Sequence, residues 1–272
     1  MSLLSINKAL IFIKKDFIIE SSYKMSFILS LLTSVFPVIS LFFVDKLLSG
    51  AQLQSLARYG GDYFSFALIG IAFVRYFQLS VETFSGSIKR AQMAGCLEAI
   101  LSSRTTPESI VVMSSFYSFL SAGVQLILMF LTAIVFLGFD FSNTNIPALL
   151  LTLAISLVVF VSLGILSAAG TVIFKQGEPV GWLFGVVSGL LGGAMFPVSV
   201  MPEPLRVLSM LFPLTYALEA LRLAILQDYS IFSLGKQLMV LAGMSAVLFP
   251  LSLQAFKWAV EKGKRDGSLM QY

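Results

Sequence analysis

Arg75, Gln78 and Glu82 stand at spacings of three and four inside an otherwise apolar run. That spacing puts all three on one face of a helix. An arginine at the centre of a membrane helix costs about 2.5–3.5 kcal/mol on insertion scales. This face is therefore expected to meet a bundle interior or a wet cavity, in a structural or cavity role rather than as a substrate contact. A second charged pair, Glu219 and Arg222, is three residues apart and is expected to pair on one helical face. Beyond these, reactive groups are scarce. The chain has no histidine and one cysteine, Cys96. That excludes an intrachain disulfide, His-based zinc sites, Ser-His triads and HExxH chemistry. No phosphate-binding loop is present, since "EKGKRDGS" at 261–268 has neither the glycine spacing nor a preceding strand. No catalytic residue, no metal site and no nucleic-acid partner are expected. Intramembrane carboxylates are too few for a proton relay, so a transport bundle built from this chain would draw its energy from elsewhere.

The elements that position these residues follow from composition. Of 272 residues, 57% are hydrophobic and 12% charged, where a soluble domain carries about 25% charged residues. An all-α integral membrane protein is expected. Six stretches are long and apolar enough to cross: 25–44, 63–83, 111–139, 147–174, 181–200 and 237–258. Lys and Arg divide unevenly between the two sides. Twelve fall on one side and five (Lys46, Arg58, Arg206, Arg222, Lys236) on the other, with Arg75 inside a span. The rule that cytoplasmic segments are cation-rich then puts both termini in the cytoplasm. No cleavable secretory signal is expected, because Lys8, Lys14, Lys15 and Asp16 interrupt the first apolar positions. Residues 1–24 instead place Ile6, Leu10, Ile13 and Phe17 on one face and Lys8 and Lys15 on the other. This is the pattern of an amphipathic helix on the membrane surface. Residues 25–272 form a single transmembrane domain.

Four local patterns stand out. Gly181, Gly185, Gly189 and Gly193 recur every four residues and form a flat helical stripe. It suits close packing within the chain, or a subunit interface. Pro37 and Pro250 lie inside spans one and six, where each is expected to kink its helix. The loop 87–108 carries a short helix, apolar at Leu97, Ile100 and Leu101, and then a fresh helix start at "TTPE". Such a helix can dock into a partner's groove or lie on lipid. After span five, residues 195–230 are apolar yet broken by Pro197, Pro202, Pro204 and Pro213. Broken backbone at membrane depth is tolerated only where protein or a wet cavity covers it. Two short helices that re-enter the membrane from outside are expected, near 205–211 and 216–226.

Three of these stretches carry a likeness. "FIKKDFIIESSYKMSFILSLL" (12–32), "SIKRAQMAGCLEAILSS" (87–103) and "MFPVSVMPEPLRVLSMLFPLTYALEALR" (195–222) resemble the permease subunits of ABC type-2 exporters. The resemblance implies that two copies pair, and that each binds a separately encoded ABC ATPase which holds ATP and magnesium. No cofactor is implied in this chain. Gly95, Leu97 and Glu98 would belong to the coupling helix that docks on the ATPase. Lys14, Lys15 and Asp16 of the amphipathic helix would touch it too. Spans one and five would build the subunit interface, which favours that reading of the glycine stripe. Phe196, Pro197, Pro202, Pro213, Glu219 and Arg222 would form an outer gate. Ser30, Thr33, Ser34 and Phe36 offer an apolar, hydroxyl-bearing wall that suits an amphipathic drug, lipid or lipid-linked glycan, exported across the cytoplasmic membrane. The alternative is a secondary transporter or channel with no ATPase partner.

Overall fold

The computed structural model describes residues 24–48, 54–93, 107–174 and 178–265, together with Lys14, Phe17 and Ile18. All regular structure among the described residues is helical. The elements are α1 (Lys24–Leu48), a short 3-10 turn (Gln54–Tyr59), α2 (Tyr63–Met93), α3 (Pro107–Leu137), α4 (Ile146–Phe174), α5 (Glu178–Leu191), a second 3-10 turn (Val198–Val200), α6 (Glu203–Ser209), α7 (Pro213–Leu226) and α8 (Gly235–Arg265).

The ends of these helices follow from their sequence. Two carboxylates receive the start of α2: the Ser65 amide donates to Asp62 (2.9 Å) and the Phe64 amide to Asp45 (3.2 Å). They satisfy orphan donors and sit at the positive end of the helix dipole. Gly138, with φ of 75°, ends α3. The Phe139 amide then donates back to the Ala133 carbonyl at 3.1 Å. Asn145 caps α4 by accepting the Ala148 amide at 3.1 Å. Pro213 opens α7, where a missing amide proton costs nothing. Pro37 and Pro250 are held inside unbroken helices, α1 and α8.

Around α2 the core assembles. Phe64, Phe73 and Phe77 of α2 meet Val159 and Phe160 of α4 and Leu214, Leu218 and Leu221 of α7. The Phe77 and Phe160 rings meet edge to face at 4.8 Å. Towards one end, Phe84 and Ile88 of α2 pack with Ile165 and Ala168 of α4 and Phe256 and Val260 of α8. The opposite end carries the α6–α7 elbow. There the loop after α3 is sewn to the end of α7: Thr144 donates to the Ile225 carbonyl and the Asn145 side chain to Asp228. Arg58, Arg206, Arg222 and Lys236 lie together at this elbow end.

Four helical segments among the described residues are long and apolar enough to cross a membrane: Tyr63–Lys89, Tyr117–Leu137, Ile146–Phe174 and Gly235–Arg265. A fifth would be the pair Glu203–Ser209 and Pro213–Leu226, bent by 87° at its break. The fifth expected crossing, 181–200, is corrected. Its helix α5 has 14 residues and stops at Leu191. At about 1.5 Å per residue it is roughly 21 Å long, short of a hydrocarbon core of about 30 Å. Gly193 adopts φ of 74°, a left-handed conformation open to glycine, and turns the chain out of the helix.

Candidate functional site

The elbow is held by one buried arginine. Arg222, on α7, is 3% exposed. Its Nη1 donates to the Gly193 carbonyl (2.8 Å), its Nη2 to the Ala194 carbonyl (2.7 Å) and its Nε to the Phe66 carbonyl (3.1 Å). Its guanidinium also lies 3.4 Å from the centre of the Phe66 ring. Gly193 and Ala194 follow the C-terminus of α5, where carbonyls lack helical partners and carry partial negative charge. α5 is closed by its own turn, the Ala194 amide donating to the Gly189 carbonyl and the Gly193 amide to the Leu190 carbonyl. Arg222, delivered from α7, grips the carbonyls of that turn, and its third bond reaches α2. A rigid planar fork suits three fixed acceptors; an ammonium on a flexible stem does not.

Gly70 makes the room. A β-carbon on Gly70 would overlap the Ala194 carbonyl oxygen and crowd Arg222 Nη2. With only hydrogen there, the turn after α5 lies against the backbone of α2. The expected Glu219–Arg222 pair is therefore corrected. Arg222 turns inward to the carbonyls, and Glu219 turns the other way to Arg58, at 2.9 Å. The three-residue spacing allows the pair, but Glu219 is taken by Arg58, and the buried carbonyls of Phe66, Gly193 and Ala194 would lose their donor if Arg222 turned away.

The remaining elbow residues support this arrangement. Pro197 and Pro202 stand at the starts of the second 3-10 turn and of α6, in extended backbone. Phe196 is exposed beside the turn. At the bend, the Thr215 hydroxyl donates to the Ser209 carbonyl at 2.7 Å, and Ser209 is fully buried.

Of the three polar residues on α2, Gln78 is half-buried while Arg75 and Glu82 are exposed on the surface of the single chain. Of the two settings expected for Arg75, a bundle interior or a wet cavity, the interior of this chain does not hold it: positions 73 and 77 fill the core, which turns position 75 outward. Arg75 lies twelve residues into α2, about 18 Å from its start. Gly185 and Gly189 pack against this helix within the chain. A β-carbon on Gly185 would come within 2.8 Å of Gln78 Cγ, and one on Gly189 within 3.2 Å of Val74. Gly181 lies in α5, and Gly193 has left the stripe for the turn. Lys14 is helical and exposed. Lys15, Asp16, Gly95, Leu97 and Glu98 lie outside the described residues.

The model of the ABC-2 type transporter family matches residues 9–226, well over half of the chain. The chain belongs to that family. The matched region runs through the α6–α7 elbow and ends at the last residue of α7. A comparison with curated proteins returned no match. Membership makes the chain a multi-pass membrane protein and a permease of the ABC type, a transport component rather than a catalyst. Permeases of the ABC-2 family normally pair with an ABC ATPase.

Sequence reasoning had marked Arg222 as part of the elbow but not its acceptors, and it passed over Gly70 and Phe66. Their only trace was a glycine inside the apolar run of α2, and an arginine that needed some partner in a greasy setting.

Proposed function

We propose that the chain is the transmembrane permease subunit of an ATP-driven exporter in the cytoplasmic membrane. It moves an amphipathic drug, lipid or lipid-linked glycan, and works as a pair of copies, each with a separate ABC ATPase. The observation that carries this reading is the exposed Arg75, twelve residues into a helix apolar enough to span. A charge placed there is costly against lipid and acceptable against water or protein. A water-bearing path between two copies gives it that environment, with Glu82 on the same helix nearer the ATPase side.

In this reading six helical segments form each half: α1, α2, α3, α4, α8 and the short α5, with α6 and α7 re-entering from outside. The loop helix around Gly95, Leu97 and Glu98 couples to the ATPase, and Lys14, Lys15 and Asp16 flank that contact. ATP and magnesium act in the partner, where ATP binding draws two ATPases together and pushes the coupling helices. The outer gate comprises Phe196, Pro197, Pro202, Pro213, Glu219 and Arg222. Because Arg222 binds α5 and α2 to α7, the gate moves with those helices as a rigid body. Opening then follows from tilting of the two halves and needs no melting of the elbow.

Affinity capture of the tagged chain tests the partnership. An ABC ATPase should co-purify, and Glu98→Arg should break the association. Transport by a chain with no ATPase attached would instead support the secondary transporter or channel.

A further inference from the structure

A cavity of about 570 Å³ opens at the elbow end, between the first 3-10 turn, the turn after α5, the α6–α7 elbow and the start of α8. Its volume falls in the range of small-molecule sites. Its lining mixes polar and apolar groups and is unbalanced in charge. Arg58, Arg206, Arg222 and Lys236 face it against Glu219 alone. Arg58 is paired with Glu219, Arg206 with Glu203 outside the cavity, and Arg222 with three carbonyls. Lys236 has no ion pair among the described residues and is exposed.

The next residue supplies a second, independent observation. Gln237 lines the same cavity, is 7% exposed, and its Oε1 accepts no hydrogen bond. A buried acceptor without a donor is costly, so it signals a missing partner. An exposed ammonium and a buried acceptor without a donor therefore stand on consecutive residues at the start of α8 and line the same cavity.

We propose that this cavity binds a polar group carrying both an anionic phosphate and hydroxyls, with the anion on Lys236 and a hydroxyl donating to Gln237 Oε1. Arg58 and Arg206 can exchange their surface carboxylates for the same anion. Such a group occurs as a phospholipid head and as a free polyol phosphate. The proposal goes beyond the permease reading and does not depend on the ATPase.

Glycerol phosphate is the probe, titrated calorimetrically into the full chain in phosphatidylcholine nanodiscs without any ATPase. Saturable binding is expected. Lys236→Gln, on the surface, should weaken it by about tenfold or more, the scale of one charge-assisted contact. Gln237→Leu should weaken it too, and Gln237→Glu, which keeps the shape, should weaken it by placing a charge against the anion. Loss of the glycerol phosphate signal when phosphatidylglycerol is added to the discs would assign the site to a lipid head; an unchanged signal would assign it to a free phosphate. No saturable binding, or binding that Lys236→Gln and Gln237→Glu both leave unchanged, would overturn the proposal.

Discussion

Arg222 grips Phe66 twice: its guanidinium lies 3.4 Å from the ring centre, and its Nε donates to the backbone carbonyl of the same residue. One residue of α2 thus provides both a π face and an acceptor, and the elbow helix α7 is fixed in rotation as well as position. The other two bonds of the fork reach the turn after α5.

Arg222→Ala should lower stability by about 3 kcal/mol or more, because it strands three charge-assisted acceptors in a buried site. Arg222→Lys should recover only part of this, since an ammonium cannot serve all three. Gly70→Ala should cost a comparable amount by pushing the Ala194 carbonyl and the guanidinium away from α2. The two sites share one network, so the double variant should lose much less than the sum of the singles. Thermal melting of the four proteins in one detergent reads this; simple additivity would mean that Gly70 acts elsewhere.

Glu219→Gln should behave differently. Its pair with Arg58 is close, but the two side chains are 26% and 57% exposed. Pairs in such settings contribute about 0–1 kcal/mol. The same melting assay should show a small change. A loss as large as that of Arg222→Ala would contradict the division of labour between the two residues.

How much of this was legible depended on range. The apolar runs of α2, α3, α4 and α8 announce themselves by length, and the prolines at 202 and 213 mark the starts of α6 and α7. Their chemistry is local. The end of α5 was hidden, because the apolar run continues past Leu191 while Gly192 and Gly193 turn the backbone. Glycine every four residues reads as a helical stripe whether or not the last one is helical. The partner of Arg222 was hidden for another reason. Its acceptors are backbone carbonyls 28, 29 and 156 residues away, and a carbonyl has no residue type. Glu219, three residues away, was the only acceptor that sequence could name.

Tyr59, beside the elbow, predicts a pH effect. Burial, and then the charge of Glu219, push its phenol above the ordinary 10.0, while Arg222 and Arg58 pull it down. A raised folded value favours the protonated phenol. Its contribution to stability is therefore complete below the unfolded value and is lost as pH rises through the folded value. Ultraviolet titration of phenolate should show a component ionising later than the free side chain, and Tyr59→Phe should shrink that component by one tyrosine. Loss of an ordinary component instead would contradict the buried setting of Tyr59.

Thiol labelling reads the elbow directly once Cys96 is replaced by serine. Leu211 is 70% exposed, while Ser209, two residues before it, is fully buried. With an impermeant reagent applied from outside intact cells, Leu211→Cys should react and Ser209→Cys should be protected. Equal labelling would describe an unstructured loop, and an inert Leu211→Cys would place the elbow away from the outer surface.

In the proposed reading this chain is a passive permease worked by a separate ATPase. Flux of a fluorescent amphipathic cargo in sealed vesicles tests it most directly, with the chain and its co-purified ABC ATPase present singly and together. Flux should require both proteins and ATP, and Glu98→Arg should abolish it while leaving the chain folded. Flux driven by an ion gradient through the chain alone, or ATP hydrolysis by the chain alone, would contradict the account.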